Sequence, residues 1–117
     1  MSEFVTNEEK LVMISNGRRA MEDAGYDPVP VVLLHTVDGG QAWLLAEIDP
    51  DDGDLAYGLC DLGVGLPEPG HVRLSWLAEF AGPLRMSVER DRRFSHAEAR
   101  TLSHYARIAA VAGKILI

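Results

Sequence analysis

Carboxylates are concentrated in one stretch of the chain, EIDPDDGDLAYGLCD at residues 47–61, which holds six of them. Oxygen ligands at this density are typical of calcium loops, but an EF-hand loop also needs glycine at its sixth position and glutamate at its twelfth. Counted from Asp49, the sixth position is Asp54, so an EF-hand is excluded. The pair Asp52-Gly53 favours a surface turn without a bound metal, because aspartate tolerates turn dihedral angles and glycine supplies a positive φ. The alternatives are a metal site and an acidic patch facing a partner, formed by Asp49, Asp51, Asp52 and Asp54.

A second group of polar side chains surrounds a predicted C-terminal helix at residues 96–112. Three of them recur every four residues along one helical face, and two arginines come just before its N-terminus. Arginines and helix N-termini bind phosphate and carboxylate groups. The candidate anion-binding stripe consists of Arg92, Arg93, His96, Arg100 and His104. The alternative is a solvated face opposite Leu102, Tyr105 and Ala109. Zinc held by both histidines is excluded, since eight residues of helix separate them by about 12 Å.

A third candidate lies on two predicted strands. Alternation along residues 41–48 predicts that Trp43 and Glu47 share one face of a strand, with Ile48 on the other face. Together with Arg90 from a later strand, they would form a polar platform for a phosphorylated or carboxylated ligand. The alternative is an exposed cross-strand ion pair that contributes at most about 1 kcal/mol.

Cys60 is a weaker candidate for chemistry, as a nucleophile, than the three groups above. Cys60 is the single cysteine, so it forms no internal disulfide, in keeping with a reducing compartment. It lies in an apolar strand pattern, which favours a small buried hydrophobe. A Cys/His pair with His35 or His71 is the alternative. The following loop, at residues 60–74, has no GxGxxG or P-loop pattern and is interpreted as a shaped loop.

Local signals predict the elements that position these side chains. Thr6 and Glu9 form a capping-box pattern that begins a helix, and Gly25 is placed to end it. Asp38-Gly39-Gly40 predicts a hairpin turn between two strands. Further strand candidates lie at residues 54–63, at the start of 71–82 and within 83–94.

Two more helices are predicted after the first strands. Ser75 caps a short one, and Ser95 with Glu98 makes a capping box for the last. The tail at residues 111–117 is apolar and is expected to pack against the sheet or a second copy. Spacing predicts a shared core for both helices, formed by Trp76, Leu77, Phe80, Leu102 and Tyr105.

Together these signals predict an α+β fold in a single domain spanning residues 1–117. An antiparallel sheet of about four or five strands carries an N-terminal helix, a short middle helix and a C-terminal helix packed on it.

Charge is distributed unevenly along the 117 residues, whose net charge is −7. Residues 1–70 hold 3 basic and 14 acidic side chains (net −11), and residues 71–117 hold 8 and 4 (net +4). Such a two-sided molecule steers charged partners or simply keeps two faces solvated. The N-terminal segment lacks a signal-peptide pattern, and no apolar run approaches the roughly 20 residues that span a bilayer. We therefore expect a cytoplasmic protein without membrane contact.

The segment at residues 27–94 resembles, in order and over most of its length, the uncharacterised bacterial family catalogued as domain of unknown function 2958. Its recurring motifs are similar to TWLLTELDPDD, FGLCDLGLGFPELGYVSLSEL and GPLGLPVERDLHF. The departures are Leu34-His35, Pro69 and Arg85, where the family often has Leu-Phe, leucine and glycine. The matching positions are Trp43, Glu47, 49–52, 58–61, Gly63, Gly65, Pro67, Glu68, Gly70, 82–84 and 88–91. The family has no assigned activity, and its members resemble accessory proteins of plasmids and other mobile elements near antirestriction-type genes.

We predict a non-enzymatic interaction module without a cofactor. It would be an accessory protein of a plasmid or other mobile element, of the antirestriction or defence-inhibitor type, that binds a protein partner through charged surfaces. The alternative is a small enzyme or ligand-binding protein acting on an anionic ligand at the Glu47/Arg90 platform. Direct nucleic-acid binding through the arginines is opposed by the net acidity.

Overall fold

The computed structural model describes residues 4–79 and 87–117. Its strands form one antiparallel sheet in the order β4-β3-β2-β1-β5. No helix in these residues is both long and apolar enough to cross a membrane. The elements are α1 (Asn7–Glu22), β1 (Val32–Thr36), β2 (Ala42–Ile48), β3 (Leu55–Asp61), β4 (Glu68–Arg73), α2 (Leu74–Glu79), β5 (Val88–Arg90), a 3-10 helix (His96–Glu98) and α3 (Leu102–Ala112). The predicted α+β fold is confirmed.

The N-terminal helix begins where its sequence signal predicts. Thr6 Oγ1 accepts a hydrogen bond from the Glu9 backbone N–H, and Glu9 Oε1 accepts one from the Thr6 N–H, so the capping box is complete. The helix ends at Glu22 with Asp23 as its C-cap, earlier than the predicted stop at Gly25. The Asp23 carboxylate accepts a bond from the Gly25 N–H, so Gly25 belongs to the following turn.

Strand β2 contains a bulge that changes the predicted alternation. Its register with β3 shifts between Leu45 and Glu47, and Ala46 is the extra residue. The pairing with β1 reaches Leu45, and the next carbonyl, of Ala46, accepts a bond of 2.9 Å from Asn16 of α1. The helix thus takes the place of a strand beside the end of β2, and the bulge moves Glu47 and Ile48 each to the face opposite the predicted one.

Each face of the sheet carries an apolar cluster. Helices α1 and α2 cover one face and α3 covers the other. The first cluster comprises Phe4, Val5, Met13, Val31, Val32, Leu34, Trp43, Leu45, Ile48, Ala56, Leu74, Leu77 and Val88. The second comprises Leu33, Leu44, Ala46, Leu59, Leu102, Tyr105 and Ala109. The predicted burial of Leu77 is confirmed, but its packing with Leu102 and Tyr105 is wrong because the sheet lies between them. Trp76 is 48% exposed, and Phe80 lies outside the described residues.

The C-terminal helix is shorter than predicted. A 3-10 turn at His96–Glu98 is followed by extended backbone at Ala99 and Thr101 before α3 begins. Ser95 makes no side-chain cap bond, so the predicted capping box is absent. Tertiary contacts explain the break, because the His96 ring bonds the Pro30 carbonyl and the Leu102 N–H donates to the Pro28 carbonyl. The tail packs on the second cluster through Ile115.

Candidate functional site

A cleft lies where the ends of β2, β3 and β4 approach the C-terminal half of α1. Glu47, Tyr57 and His71 are successive cross-strand partners and therefore form a row on one face of the sheet. The rings of Tyr57 and His71 are 5.0 Å apart. The cleft has a volume of about 170 Å³. Its other lining residues are Gly17, Ala20, Met21, Asp49, Pro50 and Leu55.

Electrostatics set Glu47 apart within this row. Burial raises the pKa of its carboxyl group above the ordinary value. Burial, followed by the nearby Glu47 charge, also raises the pKa of Tyr57. The Glu47 carboxylate makes no hydrogen bond or ion pair with any residue in the parts of the chain described. The cleft is therefore lined by a partly buried carboxylate with a phenol beside it, and its described lining residues include no lysine or arginine.

The predicted platform of Trp43, Glu47 and Arg90 is not assembled. Trp43 and Arg90 flank Leu34 on the face of the first apolar cluster. The bulge places Glu47 beside Tyr57 on the opposite face. Arg90 donates two bonds to Glu9, at 2.6 and 2.5 Å, so its charge is already paired.

The predicted acidic turn forms at residues 49–54, and three of its four carboxylates accept hydrogen bonds that hold the local structure. Asp49 accepts from the Asp51 N–H, and Asp52 accepts from Arg73 at 2.9 Å. Asp54 accepts from the Ser75 N–H and hydroxyl, so it is bonded to the start of α2. These bonds lower the pKa of Asp52, mainly through Arg73, and of Asp54, mainly through Ser75. Among the four, Asp51 is the exposed carboxylate whose side chain makes no bond to a described residue.

The predicted basic stripe is not a continuous helical face. The break between the 3-10 turn and α3 separates His96 from His104. His104 packs edge-on against Tyr105, with ring centroids 5.2 Å apart. Arg93 is paired with Asp91 at 2.7 Å, and this pair lowers the pKa of Asp91 to about 2. Arg92 and Arg100 are exposed. They are candidate anion-binding residues at two separate positions and do not form a stripe.

Cys60 has neither of the proposed histidine partners beside it. It pairs across the strands with Trp43 and packs against the first cluster. His35 and His71 lie on the other face, opposite Ala42 and Tyr57. Burial raises the pKa of the Cys60 thiol to about 11, which disfavours the thiolate that nucleophilic chemistry needs.

The loop at residues 62–67, between β3 and β4, carries a surface that sequence reasoning missed. Leu62, Val64 and Leu66, hereafter the apolar ridge, are 54, 71 and 70% exposed. Glycines alternate with them, and both Gly63 and Gly65 have positive φ values of 82° and 81°. The alternating pattern Leu-Gly-Val-Gly-Leu was the available signal.

The backbone of the loop that carries the apolar ridge contacts the end of β3, the C-terminal tail and the β1–β2 hairpin. The Asp61 carboxylate accepts from the Gly63 N–H at 3.0 Å and from the Ile115 N–H of the tail at 3.2 Å. Gln41 of the β1–β2 hairpin donates to the Leu62 carbonyl at 3.2 Å. A Cβ on Gly63 would lie 2.5 Å from the Gly40 carbonyl oxygen, so the two loops are in close contact. The ridge is thus a structured loop that exposes apolar side chains.

Tyr57 and His71 were also missed as partners of Glu47. Their juxtaposition depends on the strand register and on the bulge, neither of which has a local sequence signal. In the described residues, no three His, Cys, Asp or Glu side chains come together closely enough to hold a metal ion.

Comparison with protein families identifies the kinship of this α+β chain. The model of the family described as protein of unknown function (DUF2958) matches residues 4–116. The chain therefore belongs to that family, as its motifs indicated. Comparisons with curated proteins and with solved structures found no significant match.

Proposed function

We propose that this protein is a non-enzymatic interaction module that binds a protein partner through the apolar ridge. The observation that carries the proposal is the exposure of three large apolar side chains on a loop whose backbone is fixed. Contiguous exposed apolar surface on a folded protein marks interaction sites. A structured loop also loses little conformational freedom on binding.

Acidic side chains around the apolar ridge favour a partner with a basic surface. The ridge belongs to the acidic part of the sequence, and the exposed carboxylates of Asp38 and Glu68 lie on the adjoining hairpin and strand. A complementary surface would therefore present an apolar pocket with a basic rim. Charged side chains contribute less to this proposed surface than the sequence suggested, because Asp52, Asp54 and Arg93 already have partners within the chain.

An accessory role in a plasmid or other mobile element, of the antirestriction or defence-inhibitor type, belongs to the same proposal. Its support is the family resemblance. A small acidic protein that displays an apolar contact surface suits an inhibitor that occupies a basic site on another protein.

The proposal is tested by affinity capture with matched variants. The ridge variant carries Leu62→Ser, Val64→Ser and Leu66→Ser, which change exposed side chains and should leave the fold intact. The control carries Leu11→Gln and Val12→Gln on the exposed face of α1. We expect a partner retained by the wild type and the control, and lost from the ridge variant. Capture that is equal for all three folded proteins would contradict the proposal.

A further inference from the structure

The Glu47 carboxylate differs from the other acidic groups whose pKa shifts. Glu9, Asp52 and Asp91 each face an arginine, and Asp27, Asp38 and Asp54 each accept bonds from a hydroxyl. Glu47 has no such partner among the described residues, although it is partly buried. Burying a charge is unfavourable unless it is paired, so a cation entering the cleft would relieve this cost.

The lining of the cleft favours an organic cation. Tyr57 lines the cleft, and aromatic rings attract guanidinium and ammonium groups. Met21, Pro50 and Leu55 supply apolar surface for a hydrocarbon stem. Asp49 adds a second negative charge at the edge. Both carboxylates oppose an anionic ligand.

The size of the cleft limits the ligand. Pockets for drug-sized molecules measure about 300–1,000 Å³, whereas this cleft measures about 170 Å³. That volume suits a group as large as an arginine or lysine side chain. A metal ion is a poorer fit, because no three metal-ligating side chains converge in the described residues.

We infer that the cleft between Glu47, Tyr57 and His71 binds a guanidinium or ammonium group on a short hydrocarbon stem. Glu47 pairs with the cation, Tyr57 packs against it, and the apolar wall holds the stem. The cation belongs either to a free small molecule or to a basic side chain of a protein. The second source alone rests on the proposed function.

Titration with small probes tests the inference. N-propylguanidine is added to the full-length protein, and the chemical shifts of the Glu47 carboxyl carbon and the Tyr57 ring are followed by NMR. N-propylurea has a similar shape without the charge and serves as the matched ligand. We expect saturable millimolar binding of the guanidine and at least tenfold weaker binding of the urea. Equal binding of both, or no saturation by the guanidine, would overturn the inference.

Matched variants test the role of the carboxylate. Glu47→Gln removes the charge while keeping the shape, and Glu89→Gln removes one charge at an exposed site on β5. Affinity for the guanidine should fall at least tenfold in the first and stay unchanged in the second. Thermal unfolding checks that both variants are folded. Similar losses in both would mean that the net charge, rather than the cleft, attracts the probe, and the inference would fail.

A second arm distinguishes the two sources of the cation. A short peptide with one central arginine is compared with N-propylguanidine on the same protein. Tighter binding of the peptide assigns the cleft to a protein side chain, and tighter binding of the guanidine assigns it to a free small molecule. These titrations contain no protein partner, so their result is independent of the apolar ridge experiment.

Discussion

At the scale of single residues, the unpaired charge of Glu47 should make the fold less stable than it would be with a neutral side chain. The pKa of Glu47 is higher in the folded state than in the unfolded chain. The free energy of unfolding therefore falls as the pH rises from the unfolded-state pKa through the folded-state pKa. Glu47→Gln should therefore stabilise the protein at neutral pH. The gain should vanish in acid, below the ordinary pKa of glutamate. Urea denaturation at several pH values measures the difference, and a loss of stability at neutral pH would contradict it.

Gly17 is a position where alanine should be unfavourable despite its higher helix propensity. A Cβ there would lie 2.1 Å from the Ile48 carbonyl oxygen and 3.0 Å from its carbon. We expect Gly17→Ala to cost about 1–3 kcal/mol, as overpacking of cores does.

Gly53→Ala is the matched control for that change, since the nearest atom is 4.0 Å away, at Lys10 Nζ. The expectation that Gly53 has a positive φ was wrong, so alanine is not strained at this position. Gly53→Ala should alter the free energy of unfolding by less than about 0.5 kcal/mol. Chemical denaturation compares the two variants, and equal effects would mean that α1 does not approach β2 this closely.

At the scale of elements, one ion pair connects α1 to β5. The hydrogen bonds from Arg90 are the main reason why the pKa of Glu9 falls to about 2. Because the pKa of Glu9 is lower in the folded protein than in the unfolded chain, its charge stabilises the fold at pH values above the ordinary glutamate pKa. This contribution is lost as the pH falls towards about 2. Glu9→Gln keeps a capping-box side chain and removes the charge. We expect a cost of about 1–2 kcal/mol at neutral pH, after solvent screening is allowed for.

Denaturation of Glu9→Gln and the wild type across the acid range checks this prediction. The difference between them should narrow steadily below about pH 4.5, the ordinary value of the carboxyl group. A difference that is independent of pH would show that lost packing, rather than charge, explains the effect.

Elements with local signals were predicted correctly from the sequence only where no distant contact competed with the signal, and elements set by distant contacts were not. The Thr6 capping box and the turn at residues 38–40 depend on a few neighbouring residues, and both formed. The break before α3 depends on contacts with Pro28 and Pro30, about 70 residues away in the chain. The bulge at Ala46 lies where α1 replaces a strand, so alternation alone predicted the wrong face for Glu47. The candidate cleft, which follows from that bulge, was therefore missed.

At the scale of the whole molecule, the uneven charge should affect how fast a partner binds. The first 70 residues carry a net charge of −11 and the rest +4. Asp51→Asn with Glu68→Gln removes two exposed charges without removing a side-chain bond among the described residues. Association with a ridge-bound partner should slow several-fold at low salt, while dissociation changes little.

Surface plasmon resonance at rising salt concentrations measures both rates. The difference between variant and wild type should disappear at about 1 M salt, where screening acts over about 3 Å. Arg92→Gln with Arg100→Gln is the control of opposite sign and should speed association with a basic partner. Unchanged association rates in both variants at low salt would contradict charge steering.

The Asp61 carboxylate joins two segments that are far apart in the sequence, the apolar ridge and the C-terminal tail. Amide hydrogen exchange at Gly63 therefore reports on the tail as well as on its own loop. A truncation before Ile115 would remove the donor of one of these bonds and should alter the ridge from about fifty residues away. Assays of partner binding are best performed with an affinity tag at the N-terminus. A loss of binding then reports on the apolar ridge and not on a disturbed contact between Asp61 and the tail.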